Sequence, residues 1–436
     1  MPIGNIESMD HEGRGIARLD GKAIFVEGAL PGERVEFASF RRKPNYEQAV
    51  TERVLQASSQ RVTPPCPHFG ECGGCSMQHV GLSAQVAIKQ RVLEDNLWHL
   101  ARVRPEQLFP PIQGEAWGYR HRARFSVRNV PRLGGVLIGF HEKRSSYVAD
   151  MRTCRILPPR VSALLMPMRA LVESLSVKER LPQIEMSYGS QVLALVFRVL
   201  EIPNEADREA IIRFGQTANA HVYLQTKGPD SAIRLWPSAD APGIPALDYR
   251  LPEFDVAMGF RPNDFTQVNH RLNEVLVRRA MSLLQPQAGE RIADLFCGLG
   301  NFTLPIARSG AQVHGVEGSP GLIRRAGENA RANGLAERVS YDVANLFEMD
   351  ADKLAKYGHF DKMLIDPPRE GAIELVKALP DQGAPHRIVY VSCNPSTLAR
   401  DTAVLFNQKG YRLRGAGVVN MFPQTSHVES IALFDR

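Results

Sequence analysis

The chain begins with short apolar segments that alternate with glycine-containing turns. Residues 22–26 (Lys-Ala-Ile-Phe-Val) and 33–37 (Glu-Arg-Val-Glu-Phe) have the length and composition of strands. Glycines separate these segments at positions 4, 13, 15, 21, 28 and 32. Many short strands in so short a stretch predict a small β-barrel of the OB type over residues 1–58.

Residues 119–128 alternate strictly between two kinds of side chain, which predicts a strand with two different faces. The mostly apolar face carries Tyr119, His121, Ala123, Phe125 and Val127. The basic face carries Arg120, Arg122, Arg124, Ser126 and Arg128. Residues 82–101 have apolar positions at helical spacing, and residues 155–260 mix helical and strand patterns without a recognisable motif. We therefore predict a central α+β domain.

From about residue 269 an amphipathic helix is followed by alternating strand and helix patterns to the end of the chain. This alternation is typical of a doubly wound, Rossmann-like α/β domain. With 436 residues and 44% hydrophobic content, the chain can form several cores. The boundaries that we predict are 1–58 for the barrel, 59–262 for the central domain and 263–436 for the α/β domain, with part of 76–115 packing on the last of these.

The formal net charge of +6 is concentrated in one region, because residues 62–160 contain fourteen Lys/Arg and seven Asp/Glu. Arginines that share one strand face repel one another. A polyanionic partner would relieve this repulsion, whereas the alternative is a solvated edge strand whose charges deter aggregation. We favour the polyanion. The candidate contacts are Arg120, Arg122, Arg124, Arg128, Arg41, Arg42 and Lys43.

The six cysteines fall into two groups. Three are closely spaced as Cys66-x5-Cys72-x2-Cys75, and Cys154 follows at a distance. Structural zinc usually takes cysteines in two close pairs, whereas three close cysteines and a remote one are nearer to the plant-type ferredoxin pattern. In a reducing compartment these four predict a metal or cluster site, and their spacing leaves the nuclearity open.

Two predicted strands of the α/β domain are followed by residues suited to a nucleoside cofactor. The first runs into a turn that contains Gly298 and Gly300, where the backbone can approach a ligand closely. A dinucleotide fingerprint would need a third glycine where this chain has Thr303, so NAD is disfavoured. The next strand ends in Glu317, a carboxylate placed to accept hydrogen bonds from both ribose hydroxyls.

Cys393 is the candidate nucleophile. It follows an apolar run, residues 389–392, that predicts a buried strand, and ligands bind beyond the carboxyl ends of such strands. A lone cysteine is more often a small packing residue. Its neighbours favour chemistry, because the cofactor turn, Glu317 and Asp366 (which ends another strand before two prolines) should converge on the same crevice.

Five motifs occur in order along the chain. They are residues 264–269 (Asp-Phe-Thr-Gln-Val-Asn), 294–302 (Asp-Leu-Phe-Cys-Gly-Leu-Gly-Asn-Phe), 366–369 (Asp-Pro-Pro-Arg), 392–395 (Ser-Cys-Asn-Pro) and 427–430 (His-Val-Glu-Ser). Together they resemble the RNA uracil-5-methyltransferases that use S-adenosylmethionine. The barrel is similar to the TRAM domain of these enzymes, and the four-cysteine set is similar to the iron–sulfur site of their 23S ribosomal RNA members. The resemblance covers nearly the whole chain.

The resemblance implies a complete site. Cys393 would be the nucleophile and Glu429 the proton-abstracting base. Cys297, in the cofactor turn, is interpreted as a packing residue. The residues that would bind S-adenosylmethionine are Gln267, Phe296, Asn301, Glu317, Asn345 and Asp366. A 4Fe–4S cluster, which we expect to be structural and to brace the arginine strand for RNA, would be held by Cys66, Cys72, Cys75 and Cys154.

The chemistry of the implied reaction requires these residue types. Uracil C5 takes a methyl group from a sulfonium only after a thiolate adds to C6, and a base must then remove the C5 proton before the thiolate leaves. Glu429 lies in an otherwise apolar strand, where desolvation would raise its pKa. The alternative for Glu429 is a surface carboxylate before an edge strand. The target uracil must leave its stack, which RNA loops allow more readily than duplexes.

Two other functions stay open. One is an adenine- or amine-directed N-methyltransferase that uses Asp366-Pro367-Pro368, although such enzymes usually have an aromatic residue where this chain has Arg369. The other is a non-catalytic RNA-binding module with the same fold.

The expected substrate is 23S ribosomal RNA, and the expected enzyme type is the one that methylates U1939, because cysteines and barrel occur together. Relatives that act on transfer RNA share the catalytic residues. The first residues lack the pattern of a secretion signal, and no apolar run is long enough to span a bilayer. We therefore expect a monomeric cytoplasmic enzyme without membrane attachment.

Overall fold

The structure is a computed structural model that describes residues 1–238 and 241–436. Its strands form two six-stranded sheets, a two-stranded hairpin and an eight-stranded sheet within these ranges. Among the described residues, no helix combines the length and apolar character needed to cross a bilayer. The three larger sheets correspond in order to the barrel, the central domain and the α/β domain predicted from the sequence pattern.

The N-terminal sheet closes into a small barrel. It has the order β1-β5-β6-β4-β3-β2. Its strands are β1 (Ile3–Asn5), β2 (Ser8–Met9), β3 (Gly15–Leu19), β4 (Lys22–Glu27), β5 (Arg34–Arg42) and β6 (Tyr46–Gln56). Only Ile6 and Glu7 separate β1 from β2, so one bent segment pairs with β5 on one side and with β3 on the other. The barrel has its own core, which includes Val26 and Phe37.

A long helix leads from the cysteine segment onto the C-terminal domain. This helix, α1 (Leu82–Asn96), continues as a π-helical turn over Leu97–Ala101. Its buried side chains, Leu93 among them, share a core with the C-terminal sheet. The short strand β7 (Gln107–Leu108) then adds to the edge of that sheet beside Gly415. Much of the chain between the barrel and the central sheet thus packs on the C-terminal domain.

The central sheet has the order β13-β12-β11-β10-β8-β9. Its strands are β8 (Arg122–Val130), β9 (Gly135–Gly139), β10 (Gln183–Tyr188), β11 (Leu193–Arg198), β12 (His221–Gln225) and β13 (Ile233–Trp236). Three helices pack against it, α2 (Pro159–Ser162), α3 (Leu165–Ser174) and α4 (Glu205–Ala218). The basic strand β8 has a neighbour on both sides. It is therefore not an edge strand.

The C-terminal sheet is mostly parallel and has the order β18-β17-β16-β19-β20-β22-β21-β7. Its strands are β16 (Arg291–Leu295), β17 (Gln312–Glu317), β18 (Val339–Val343), β19 (Lys362–Ile365), β20 (Arg387–Ser392), β21 (Arg412–Val419) and β22 (Glu429–Asp435). A hairpin, β14 (Asp248–Leu251) and β15 (Val256–Gly259), shares its core. The helices are α5 (His270–Leu284), α6 (Thr303–Arg308), α7 (Pro320–Ala332), α8 (Ala351–Ala355), α9 (Ile373–Ala378) and α10 (Pro395–Asn407).

The strand order creates a crevice at one edge of this sheet. From β16 the chain proceeds outward through β17 and β18, and it then returns to the other side of β16 with β19 and β20. The order reverses between β16 and β19, and ligands of open α/β sheets bind at such a point, beyond the carboxyl ends of the strands. The strong alternation of strand and helix predicted this arrangement correctly.

Candidate active site

The carboxyl ends of four parallel strands bring the predicted site residues together. Phe296 follows β16, Glu317 ends β17, Asp366 follows β19 and Cys393 follows β20. These strands are hydrogen-bonded neighbours in register, with Leu295 opposite Ile365 and Leu295 opposite Val316. Because parallel strands end at the same edge of a sheet, residues distant in sequence meet there.

Strand pairing also places Cys393 beside Glu429. The antiparallel ladder between β20 and β22 ends with Ser392 opposite Ser430. Cys393 follows this pair on one side and Glu429 precedes it on the other, and both residues line the same cavity. Glu429 is only 8% exposed, and β22 lies between β20 and β21. The alternative of a surface carboxylate at an edge strand is therefore wrong.

All eight residues predicted to form the catalytic and cofactor site line one cavity of about 570 Å³. They are Gln267, Phe296, Asn301, Glu317, Asn345, Asp366, Cys393 and Glu429. The cavity has the size typical of small-molecule sites. It extends from Glu317 at the β17 end to Cys393 at the β20 end, so a ligand held at one end can present a reactive group at the other.

Polar groups at the β16–β17 end of the cavity are held in defined orientations. The Asn301 amide exchanges hydrogen bonds with Asn273 at 2.8 and 3.0 Å and accepts one from the Tyr249 hydroxyl at 2.9 Å. Glu317 accepts a bond from the Ser319 backbone N–H at 3.0 Å. Phe296 has a φ of 64°, an uncommon backbone conformation for an aromatic residue, and such strain clusters at ligand sites.

Burial shapes the proton affinity of the reactive groups. Desolvation, and then the nearby carboxylates of Glu429 and Asp366, raise the pKa of the Cys393 thiol to about 12. Burial raises the pKa of Glu429 to about 7, against the lowering effect of Arg369 and Lys89. Burial and the charge of Glu429 raise the pKa of Asp366 as well. Neutral pH therefore lies within the titration range of Glu429, as a general base requires.

The four clustered cysteines lie together in a pocket separate from this cavity. Cys66, Cys72, Cys75 and Cys154 line one small pocket, whose walls include Phe140 and the Met151 side chain. Burial raises the pKa of Cys75 to about 11 and that of Cys154 to about 12, and the charge of a Cys72 thiolate adds to both rises. In residues 1–238 and 241–436, no group of three or more His, Cys, Asp or Glu side chains meets the criteria for holding a single metal ion.

The arginine face of β8 is partly neutralised within the fold. Glu185 lies opposite Arg124 on β10 and approaches its guanidinium at 3.2 Å, and it lies 3.9 Å from Arg122. Arg122 also donates a hydrogen bond to the Asn263 carbonyl at 3.0 Å. Arg128 is exposed. The repulsion that favoured a polyanion is therefore weaker than four adjacent arginines imply.

The basic residues of the barrel lie at its surface. Arg41 and Arg42 end β5, and Lys43 follows them. All three are exposed, and Arg42 approaches Glu47 at 3.6 Å.

Comparison with known proteins identifies the family. Residues 249–436 match the family described as tRNA (Uracil-5-)-methyltransferase, and residues 5–37 match the TRAM domain. The chain is 62% identical over 435 residues to the 23S rRNA (uracil(1939)-C(5))-methyltransferase RlmD of Dechloromonas aromatica, with 100% of both chains covered. The chain belongs to the RNA uracil-5-methyltransferase family. It is also 61% identical over 436 residues to the RlmD of Azoarcus sp. (strain BH72), again with 100% of both chains covered.

A solved structure supports the architecture of this RNA uracil-5-methyltransferase. The tRNA (uracil-54, C5)-methyltransferase of Pyrococcus abyssi, solved with S-adenosyl-L-homocysteine, superposes with a TM-score of 0.74 at 24% identity. The superposition covers 99% of this chain and 100% of the other. At this identity the likeness concerns the fold, and it confirms the Rossmann-like methyltransferase domain.

Several residues of the uracil-5-methyltransferase site were not predicted from the sequence. Tyr249 and Phe347 line the cavity, and Asn273 orients Asn301. Lys89 approaches from α1 and interacts electrostatically with Glu429. Local sequence gave no signal for Tyr249, Phe347 or Asn273. For Lys89 the only signal was that the residues three and four positions away on the predicted helix, Val86, Val92 and Leu93, are apolar.

Proposed function

We propose that the protein transfers a methyl group from S-adenosyl-L-methionine to C5 of a uridine in 23S ribosomal RNA, at U1939 as the names of its full-length relatives state. The observation that carries the proposal is the convergence of a cysteine, a buried carboxylate and the cofactor-loop residues on one cavity. Full-length identity of about 60% to enzymes named for this substrate favours ribosomal RNA over transfer RNA.

Cys393 would act as the nucleophile. Its thiolate adds to C6 of the flipped uracil, and the electron pair of the C5–C6 double bond becomes available at C5. S-adenosylmethionine, when bound, supplies the electrophilic methyl group. The pKa of about 12 makes the neutral thiol the resting form of Cys393. Arg369, whose charge lowers this pKa, would favour the thiolate once substrate excludes water.

Glu429 would complete the reaction. Its carboxylate takes the proton from C5, the electrons of the C–H bond restore the C5–C6 double bond, and the bond between C6 and the Cys393 sulfur breaks. The Glu429 carboxylate lines the same cavity as Cys393, beside the last β20–β22 pair, so it can reach a base bound to Cys393. Its raised pKa of about 7 makes it a stronger base than an exposed glutamate.

The remaining cavity residues would bind the cofactor. Glu317 at the tip of β17 suits the ribose hydroxyls, and Phe296 offers an aromatic surface near Phe347, with ring centroids 5.6 Å apart. Asn345, after β18, suits the adenine edge. Gln267, Asn301 and Asp366 would hold the amino-acid portion and the reacting end, with Asp366 close enough to contact the base.

Cys66, Cys72, Cys75 and Cys154 would hold a 4Fe–4S cluster in the central domain. Their convergence on one pocket supports this, because four free thiols, three of them buried, line the same small space. A single zinc ion would require sulfur atoms about 3.8 Å apart around Zn–S bonds of about 2.3 Å, whereas a cluster accepts more widely separated thiolates. The cluster would be structural, since Cys393 supplies the activation of the substrate.

RNA would contact the basic residues near the cavity and on the barrel. We propose Arg122, Arg124 and Arg128 of the central sheet, Arg120 directly before it, and Arg41, Arg42 and Lys43 of the barrel, as phosphate contacts. Arg128 and Arg41 are exposed, so they can reach a phosphate without breaking an internal ion pair.

We retain the division at 58/59 and 262/263 as a proposal for the domain boundaries, and the monomeric, cytoplasmic state stays a prediction.

The test is to map 5-methyluridine in 23S ribosomal RNA from a strain that lacks the gene, complemented with the wild-type chain or with Cys393→Ala. We expect the modification to be absent from the deletion strain, restored by the wild type and not restored by Cys393→Ala. A variant that restores it fully would rule out the covalent mechanism. Restoration at a different uridine, or in transfer RNA, would overturn the assigned substrate.

A further inference from the structure

Lys89 is a buried cation that the mechanism above leaves unexplained. It lies on α1 and is 1% exposed. Its ammonium donates hydrogen bonds to Asn420 Oδ1 at 2.7 Å and to the Phe422 carbonyl at 2.9 Å. Both acceptors are neutral, and a buried charge without a direct counter-ion is costly. A neutral side chain would pack there at lower cost, so the charge calls for a functional explanation.

The two acceptors belong to the loop that carries the proposed base. Residues 420–428 connect β21 to β22, and Glu429 is the first residue of β22. Gln85, one turn before Lys89 on α1, binds the same loop, because its amide exchanges hydrogen bonds with Gln424 at 2.9 and 3.0 Å. Helix α1 therefore clamps the loop through one neutral and one charged side chain.

The charge of Lys89 reaches Glu429 from the buried side. Three charged or titratable groups outside the Glu429–Cys393 pair act on it, namely Asp366, Arg369 and Lys89. The charge of Glu429 acts on Cys393 as well, and His427 lines the same cavity. Arg369 is exposed at the rim, where solvent screens its charge. Arg369 still lowers the pKa of Glu429 more than Lys89 does. Lys89 is buried, so solvent and salt screen its charge little.

Lys89 and Glu429 have similar pKa values. Burial lowers the pKa of Lys89 to about 7, and the charge of Glu429 acts in the opposite direction. Burial raises the pKa of Glu429 to about the same value, and the charge of Lys89 opposes that rise. Each group thus favours the ionised form of the other at neutral pH.

We propose that Lys89 is a positioning residue of the reaction, which fixes the loop before Glu429 and whose positive charge keeps that carboxylate ionised for removal of the C5 proton. The inference rests on the proposed function, in which Glu429 is the base. Without the charge, Glu429 stays protonated to higher pH, and the methylated adduct on Cys393 persists longer.

The test separates charge from loop position. The full-length chain is incubated with S-adenosylmethionine and substrate RNA tritiated at C5 of uridine, and the rate of tritium release is measured from pH 6 to pH 9. Lys89→Met and Lys89→Gln both remove the charge, and the glutamine amide retains a donor for Asn420. Gln85→Met is the matched control, because it weakens the same clamp without changing its charge.

We expect both Lys89 variants to shift the acidic limb of the profile upward by about one pH unit, with release slower by about fivefold near pH 7 and by about tenfold near pH 6. Gln85→Met should lower the rate evenly and leave the limb in place. If the acidic limb of the pH profile of Lys89→Gln stays at the wild-type pH, the inference is overturned. The same holds if Gln85→Met shifts that limb as far as the Lys89 variants do. Failure of the wild type to form any adduct through Cys393 would instead overturn the proposed function itself.

Discussion

Cys393 and Glu429 show how neighbouring strands can assemble a reactive pair. Neither residue is distinctive by type, and a lone cysteine or a lone glutamate in a sequence is ordinarily structural. The ladder of β20 against β22 ends at the adjoining pair Ser392–Ser430, and burial raises the pKa of both Cys393 and Glu429. Their proposed roles divide the reaction into addition and elimination, and each step can be blocked separately.

Glu429→Gln should stop the reaction after methyl transfer, because an amide cannot accept the C5 proton. We expect methylated RNA to stay attached to Cys393 and to appear as a cofactor-dependent, slowly migrating band on a denaturing gel. Glu274→Gln is a matched control, since burial also raises the pKa of Glu274 but it does not line the cavity. Release of product by Glu429→Gln at the wild-type rate would contradict the assignment of the base.

At the scale of residues, the sequence predicted the site residues at strand ends and missed residues that reach the site from other parts of the fold. Glu317, Asp366 and Cys393 could be placed because parallel strands end at one edge of a sheet. Lys89 could not be placed, since its acceptor Asn420 lies 331 positions away and no periodicity reports such a contact. The alternation of residues 119–128 gave the two faces of β8 correctly from Arg122 onward, whereas Arg120 lies before the strand. The alternation could not show that Glu185 lies opposite Arg124.

At the scale of elements, short contacts fix how added segments dock on the catalytic sheet. β7 extends that sheet beyond β21, and Phe109, directly after β7, packs over two glycines of β21. A Cβ atom at Gly415 would lie 2.3 Å from the Phe109 ring. Glycine is therefore required there by close approach and not by its backbone angles. The alternation of strands and helices in this domain was visible in sequence, whereas the contact of Phe109 that requires glycine at position 415 was not.

Gly415→Ala should destabilise the protein by about 1–3 kcal/mol, because the added methyl group displaces Phe109 from a packed position. Gly327→Ala is the matched control, since Gly327 lies within α7 and its added Cβ would meet only the Arg331 side chain, at 3.7 Å. That change should be neutral or stabilising by up to about 1 kcal/mol. Urea denaturation measures the free energy of unfolding of both variants. Equal stability of the two variants would contradict the proposed packing.

At the scale of the whole molecule, the cysteine segment connects three parts of the chain. The backbone N–H groups of Ser76 and Met77, directly after Cys75, donate to the Gln424 carbonyl at 2.9 Å each. Met77 also packs with Leu30 of the barrel, and Cys154 belongs to the core of the central sheet. A cluster that holds the four cysteines in place would therefore also stabilise the positions of the barrel and of the loop before Glu429.

Cys72→Ser should lose the proposed cluster, because it removes one of four thiolate ligands. We expect the wild-type protein, purified without oxygen, to contain iron and to absorb visible light, and we expect Cys72→Ser to lose both and to unfold at lower urea concentration. Cys297→Ser is the control, since Cys297 lies in the cofactor turn and not in the pocket of the four cysteines. Zinc without iron in the wild type would refute the cluster.

The covalent bond between Cys393 and uracil is the central claim, and 5-fluorouracil-substituted substrate RNA tests it most directly. Fluorine at C5 cannot leave as a proton does, so the adduct persists after methyl transfer. With S-adenosylmethionine present, we predict a stable protein–RNA complex whose cross-linked peptide contains Cys393, and we predict no complex with Cys393→Ala and a normal one with Cys297→Ser. Methylation of ordinary RNA by a wild-type protein that forms no complex with the fluorinated RNA would contradict the account.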